Sequence, residues 1–407
     1  MKKPSSSILY QNESKSAVLL DLPRSIEEAQ FLPGSDGGRT TTGLRHIVST
    51  PPPTSPFQTP ESKNASSSWG NETQSAGLNP SAQIAELMTL TAVEDALEIV
   101  RSSYDGPWYL PRHTESAPGK NTDLGQDGKG GDRGGTQPHH DRAPPTNRTI
   151  TELDLSNYLI PKDSHPILGS IESQRQAFLT TAPQFDLIIM DPPWPNRSAK
   201  RKRGSYQPLS DFGSTKALLS LIPVASHLAP GGLVAVWVTN SPKAAELLTA
   251  RGGLFDDWHV DLAGEWTWLK VTATGESVVD IHSTWKKPWE RLLIARKRSG
   301  IANSPSSSSE SITRKVIVTV PDVHSRKPNL RGLFDELLPN GYKALEVFAR
   351  NLTAGWWCWG GQVLLYQHKD HWVEVENQAV GSKLSPLTTG KDSALPRPET
   401  SDSQERS

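Results

Sequence analysis

The stretch Phe185-Asp186-Leu187-Ile188-Ile189-Met190-Asp191-Pro192-Pro193-Trp194 decides the fold. An apolar run that ends abruptly in an acid and two prolines predicts a buried parallel strand whose carboxyl end opens into a loop. Ligands bind at such ends in open α/β sheets. Consecutive prolines fix two φ angles and remove two backbone donors, so the loop turns stiffly held carbonyl acceptors outward. A carboxylate, a rigid carbonyl and an indole plane together suit a flat heterocycle that bears an amino group. The oxygens hold the amino hydrogens and the ring supplies stacking.

Beyond this loop the pattern alternates between helix and strand. Residues 214–228 read as a helix containing Pro223, and Pro230-Gly231-Gly232 turns into a strand over 233–238. A helix over 243–250 is stopped by Gly252-Gly253. Strands are expected over 259–271, 291–296, 315–320 and 344–349, a helix over 330–338, and a further strand over 363–366. The serine-rich residues 299–310 read as a solvated loop. Roughly seven strands with intervening helices in about 220 residues describe a mostly parallel sheet covered on both faces, a Rossmann-like α/β layout.

Composition confines this order to part of the chain. Of 407 residues only 35% are hydrophobic, with 33 prolines and 31 glycines, so long stretches cannot bury enough apolar surface to offset ordering entropy. Eleven of the 13 tryptophans fall between Trp194 and Trp372, which places the large core-forming side chains there. Residues 1–80 are expected to be largely disordered apart from a docking strand near 16–22 and a short helix near 25–29. An amphipathic helix and docking turn follow over 81–112, carrying Ile84, Leu87, Met88, Ala92, Leu97 and Val100 near helical spacing. A low-complexity insertion is expected over 113–149, the main folded domain over 150–375, and a disordered tail over 376–407.

Charge and motifs narrow the chemistry. With 43 basic and 44 acidic residues the net charge is close to zero, so attraction to a polyanion must come from local patches. One cysteine, Cys358, cannot form an intrachain disulfide and suits a reducing compartment. No signal peptide and no bilayer-length apolar run is read, so no membrane partner is expected. His139 and His140 have no cysteine or third histidine nearby, and no metal site is expected. The phosphate-cradling, dinucleotide-binding, zinc-protease and serine-hydrolase motifs are absent, which leaves phosphoryl transfer, metalloproteolysis and serine hydrolysis without support.

The sequence resembles the Asp-Pro-Pro-Trp class of adenine N(6)-methyltransferases, the 70-kDa messenger-RNA adenosine methyltransferase-like family, and within it the branch of methyltransferase-like protein four. The resemblance is carried by Asp191 to Trp194, Asn196-Arg197-Ser198-Ala199-Lys200-Arg201, Trp237-Val238-Thr239-Asn240 and Glu265-Trp266-Thr267-Trp268-Leu269-Lys270. It continues through Lys286-Lys287-Pro288-Trp289-Glu290, His324-Ser325-Arg326-Lys327-Pro328, Leu345 to Leu352, Gly355-Trp356 and Trp359-Gly360-Gly361-Gln362, over roughly residues 165–372. Ser7-Ile8-Leu9-Tyr10-Gln11-Asn12 also looks like this branch.

The resemblance implies an S-adenosyl-L-methionine-dependent methyltransferase fold with permuted motif order, the catalytic loop preceding the cofactor-binding strand. It implies that Asp191 and the Pro192 carbonyl accept the adenine amino hydrogens, with Pro193 stiffening the loop and Trp194 flanking the base. It places the cofactor near Asp191, Lys327, Arg350, Asn351, Gly361 and Gln362, with Ser170 and Ile171 at its adenine. Two departures stand out: Gly169-Ser170 replaces an acidic residue before Ile171, and Gly361 replaces an Asn found in some relatives. Nucleic acid with an unpaired or flipped adenine is the implied partner, DNA or small nuclear RNA. Candidate substrate contacts are Asn196, the run Lys200, Arg201, Lys202 and Arg203, Trp266 and Trp268 by stacking, and Lys286 and Lys287. The basic run also reads as a nuclear import signal, so nuclear residence is expected, with a cytoplasmic pool as the alternative.

The same residues have plainer readings. An Asp-Pro-Pro after a strand is commonly only a turn, Trp266 and Trp268 lie two apart and share a face that can be core, and the lysines can be ordinary surface. A non-catalytic nucleic-acid-binding subunit is the alternative of a different class. A methyltransferase acting on protein glutamine is a third, although such enzymes usually carry Asn and Tyr where this chain has Asp191 and Trp194.

Overall fold

The computed structural model describes residues 6–34, 45–59, 80–114, 154–195, 211–283, 286–298 and 311–374. Along the chain the strands are β1 (Ile8–Gln11), β2 (Ala17–Leu20), β3 (Arg45–Ser49), β4 (His113–Thr114), β5 (His165–Leu168), β6 (Phe185–Met190) and β7 (Leu228–Val238). They continue with β8 (Val260–Lys270), β9 (Trp289–Lys297), β10 (Lys315–Thr319), β11 (Ala344–Val347), β12 (Trp357–Gly360) and β13 (Trp372–Glu374). The helices are α1 (Leu22–Glu28), α2 (Pro80–Ser103), α3 (Ile171–Thr181), α4 (Phe212–Ser220), α5 (Val224–His227), α6 (Pro242–Thr249), α7 (Leu254–Asp257) and α8 (Arg331–Phe334).

Ten strands form one sheet in the order β1-β2-β10-β8-β9-β7-β6-β11-β12-β5. β6 pairs in parallel with β7 on one side and β11 on the other, while β9 runs antiparallel to both β7 and β8. The chain leaves β6 toward β7 and returns much later as β11 on its opposite side. The β6–β11 junction is therefore a topological switch point, where a crevice opens at the carboxyl ends of the strands. β3, β4 and β13 form a separate small sheet.

Alternation along the strands sorts side chains into two layers. Leu187 and Ile189 of β6, Ala235 and Trp237 of β7, Trp266 and Trp268 of β8 and Ile317 of β10 face one core, covered by α1 and α8. Ile188 and Met190, Val234 and Val236, and Leu345 and Val347 face the other, under α3, α4, α6 and α7. Each large apolar side chain fully buried this way contributes roughly 1.5–3 kcal/mol relative to exposure.

The structure departs from the sequence expectations in several places. β5, α3 and β12 were not foreseen, and residues 363–366 form a turn and the start of a short 3-10 helix (Leu365–Gln367) rather than a strand. The helix expected over 330–338 is the four-residue α8. The docking strand expected near 16–22 is β2, which with β1 extends the main sheet, and residues 45–49, expected to be disordered, form β3. The reason is packing, since Val18, Leu20 and Ile47 fill the main core. The apolar docking of α2 is through its later turns, where Val93, Ala96, Leu97 and Val100 meet Leu19, Leu269 and Val318, while Ile84, Leu87 and Met88 are exposed and its earlier turns make polar contacts through Glu86 and Thr89. Of the insertion expected over 113–149, His113 and Thr114 form β4 and the rest lies outside the described residues, as does the tail expected over 376–407.

Candidate active site

Strand alternation carries the face of Leu187 and Ile189 one step further to Asp191, at the mouth of the switch-point crevice. There a cleft open to solvent is lined by Asp191, Trp237, Lys327, Glu346, Phe348, Arg350 and Asn351, among others. Asp191 is not sealed in the core: its side chain is 24% exposed. Lys327 Nζ lies 3.2 Å from Asp191 Oδ1 and 3.0 Å from Glu290 Oε2, and Lys270 Nζ donates to Glu290 Oε1 at 2.6 Å. Four charges of alternating sign thus run from β6 to β8, and the ammonium of Lys327 also sits 5.6 Å from the ring centres of Trp237 and Trp268.

The electrostatics follow from this array. Burial disfavours the charged form of Lys327, yet the carboxylates of Asp191 and Glu290 outweigh it and raise its pKa. Burial likewise works against ionised Glu290, but Lys327 and Lys270 hold its carboxyl down at about 2. Glu346, beside Asp191, is pushed up to about 8 by burial and by the Asp191 charge. At neutral pH the cleft therefore presents a protonated carboxyl next to an ion chain.

The proline loop is anchored rather than open. Pro192, Pro193 and Trp194 are buried, the Trp194 amide donates to the Pro192 carbonyl at 2.8 Å, and the Trp194 indole donates to the Trp237 carbonyl at 2.7 Å. The expectation that Trp194 flanks a base needs correction: its ring is 6% exposed and packs toward Phe212, so it fixes the loop. Two non-glycine residues lining the cleft, Ser325 and Phe348, adopt left-handed φ of 65° and 62°. Such conformations persist only where surrounding contacts over-determine them, and they gather at functional sites.

The other expected residues separate into groups. Lys327, Arg350 and Asn351 share the cleft with Asp191. Gly361 and Gln362 follow β12 and Ser170 and Ile171 follow β5, further along the same edge of the sheet. Ser170 is exposed and caps α3 by accepting from the Ser173 amide, whereas Ile171 is buried in the core beneath. Trp266 and Trp268 do not offer stacking surfaces. Trp266 is fully buried against Phe334 with its indole bonded to the Thr313 carbonyl, and Trp268 is 2% exposed with its indole on Thr319 Oγ1, so both are floor, not platform. Lys287 is paired with Glu86 at 2.8 Å and Lys286 is exposed. Asn196 and Lys200, Arg201, Lys202 and Arg203 lie outside the described residues.

Sequence reading did not assign Lys270, Glu290, Glu346 or Trp237 a role in the site. The signal for Lys270 was available, since it lies two residues after Trp268 and four after Trp266 on one strand face.

The MT-A70 family model matches residues 185–362, the span from the start of β6 to just past β12. The N6-methyladenosine RNA methyltransferase MTA1 of Cryphonectria parasitica is 44% identical over 376 residues, which cover 92% of this chain and 96% of that protein. The chain belongs to the MT-A70 family. The N6-methyladenosine RNA methyltransferase MTA1 of Pyricularia oryzae is 41% identical, across 91% of this chain and 97% of that protein. Human N(6)-adenine-specific methyltransferase METTL4 is 36% identical over 233 residues, 56% of this chain and 48% of that protein. Every strand that lines the cleft falls within the MT-A70 span, whereas β1 to β5 and α2 precede it. Among the described residues of this MT-A70 chain no helix is long and apolar enough to cross a membrane.

Proposed function

We propose that this MT-A70 chain transfers a methyl group from S-adenosyl-L-methionine to the N(6) amine of adenine in RNA. The observation that carries the reading is the placement of Asp191, a partly exposed carboxylate at the switch point of the sheet, in one cleft with Lys327, Arg350 and Asn351. Support for RNA comes from the names of the two fungal relatives that match over nearly their whole length.

The cofactor fits the donor set. A methionine end carries both an ammonium and a carboxylate, and the cleft offers Lys327 and Arg350 to the carboxylate and Asp191 to the ammonium. Asn351, with Gln362 and Gly361 further along, would serve the ribose, and Ser170 and Ile171 the cofactor adenine. When bound, the cofactor supplies an electrophilic methyl group.

The substrate amine is a poor nucleophile because its lone pair is delocalised into the ring. Asp191 and the Pro192 carbonyl, the latter through the lone pair not engaged by the Trp194 amide, counter this by accepting the two amino hydrogens, which draws the nitrogen toward pyramidal geometry and restores lone-pair density. Lys327 on Oδ1 leaves Asp191 Oδ2 to meet the amine and fixes the carboxylate plane. The Trp194 and Trp237 anchor keeps the acceptors in place without reorganisation. The methylated nitrogen then loses one proton to Asp191 or to water. Lys200 to Arg203, six residues beyond Trp194, would contact phosphate and serve nuclear import. Purified protein with labelled cofactor and matched adenine-containing RNA and DNA oligonucleotides tests the reading. Label at N(6) of RNA in excess over DNA is expected, and cofactor binding without label on either polymer would favour a non-catalytic subunit.

A further inference from the structure

Lys327 reaches Asp191 and Glu290 from a segment that is held from outside the cleft. After β10 ends at Thr319, residues 320–326 carry the chain to Lys327 and pass through the left-handed Ser325. The Arg326 amide closes a local turn onto the Val323 carbonyl at 3.0 Å, and contacts from elsewhere in the chain fix where that turn sits. They come from the small sheet and the chain leading into it. Arg112, just before β4, donates to the Val320 carbonyl at 2.8 Å, the Pro321 carbonyl at 2.8 Å and the Thr50 carbonyl at 3.2 Å. Asp322, whose side chain is fully shielded, accepts from the Thr50 amide at 2.7 Å and from the hydroxyls of Thr50 and Ser49. Asp322 also pairs with Arg326, which donates to the Val48 carbonyl at 2.9 Å and lies 4.4 Å over the ring of the cleft residue Tyr366. β3 and β4 are themselves joined, Val48 opposite His113.

We propose that the small sheet β13-β3-β4 is a clamp that sets the position of Lys327, and through it the Asp191 carboxylate, with Arg112 and Asp322 as positioning residues for the transfer reaction. The proposal rests on the methyl-transfer reading above. One buried and one half-buried guanidinium around a shielded carboxylate are a poor device for stability alone, because desolvation consumes much of their attraction. Arg112 Nε and Arg326 Nε are moreover buried without a hydrogen-bond partner among the described residues, a cost that pure stabilisation would not carry. A guanidinium spanning several carbonyls does impose geometry, which a lysine cannot reproduce.

The test is a double-mutant cycle in the full chain, with Arg112→Met, Arg112→Lys, Lys327→Met and the Arg112→Met/Lys327→Met pair. Single-turnover transfer should fall about tenfold or more in Arg112→Met and remain low in Arg112→Lys. In the Lys327→Met background, Arg112→Met should have no further effect on the rate, since both changes remove the same interaction. Equal effects in both backgrounds would overturn the clamp and leave methyl transfer standing. A readout that needs no turnover accompanies it: acylation of Lys327 by an amine-reactive reagent, followed by mass spectrometry. Arg112→Met should raise it several-fold while amide exchange in β6 and β7 stays unchanged. Unchanged acylation, or loosening of β6 and β7 as well, would overturn the clamp even if the wild-type protein transferred no methyl group.

Discussion

Replacing Glu290 with Gln removes one charge from the middle of the cleft array, and its effect can be worked from the structure. Glu290 lies 3.0 Å from Lys327 Nζ and 2.6 Å from Lys270 Nζ, and its side chain is only 25% exposed. Burial favours the neutral acid, yet the two ammonium groups prevail and hold the carboxyl at about 2 against an ordinary 4.5. At about 1.4 kcal/mol per pKa unit, that gap corresponds to about 3 kcal/mol of stability. The folded value lies below the unfolded one, so this stability is fully present above about pH 4.5 and is lost as pH falls through about 2. Urea unfolding should therefore show Glu290→Gln less stable than wild type by up to about 3 kcal/mol at pH 7, with less than half that difference left at pH 3. A difference that stays flat from pH 7 to pH 3, or a variant more stable than wild type at pH 7, would refute the reasoning. The second outcome would mean that desolvation, not the lysines, dominates at this site.

Glu346 carries the opposite sign. Burial and Asp191 raise its carboxyl to about 8, so the folded state loses stability as pH climbs from 4.5 toward 8, and Glu346→Gln should stabilise the protein at pH 8 but not at pH 4 in thermal unfolding. An equal gain at both pH values would contradict this. Trp194→Phe keeps an aromatic ring, though a smaller one, and deletes the donor to the Trp237 carbonyl, which should cost about 1–2 kcal/mol or more in chemical denaturation and slow transfer by loosening the loop. Unchanged stability and turnover would remove the anchor from the account. Replacing Lys200, Arg201, Lys202 and Arg203 with Ala should weaken oligonucleotide binding and flatten its dependence on salt, and an unaltered salt slope would take them out of the interface.

The strand that organises the molecule was legible because its signal is local. Phe185 to Met190 are apolar or edge-flanked, and the acid and prolines that follow end the pattern where β6 ends. Residues whose position depends on register were not legible. Glu290 lies opposite Trp268 across an antiparallel pair, and the register of that pair is set by residues 271–288, which carry no simple turn signature. β5 contains Pro166, which argues against a central strand, and it is the edge strand that tolerates a proline. β12 is four residues long, too short to display a period. Trp266 and Trp268 were correctly expected to share a face, but a face alone does not say whether it meets solvent or α8. The hold of Arg112 on Val320 and Pro321 joins residues more than 200 apart in sequence, and no local pattern reports such a contact.

The central claim is that the Asp191 corner presents acceptors to one exocyclic amine. Its most direct test is mass-spectrometric identification of the methylated atom after incubation of an adenine-containing RNA with the cofactor and either wild-type protein or Asp191→Asn. The account predicts methyl on adenine N(6) with wild type and a loss of at least about a hundredfold with Asp191→Asn, whose fold and thermal stability stay near those of wild type. Equal N(6) methylation by the two proteins, or methyl found at another atom, would contradict it.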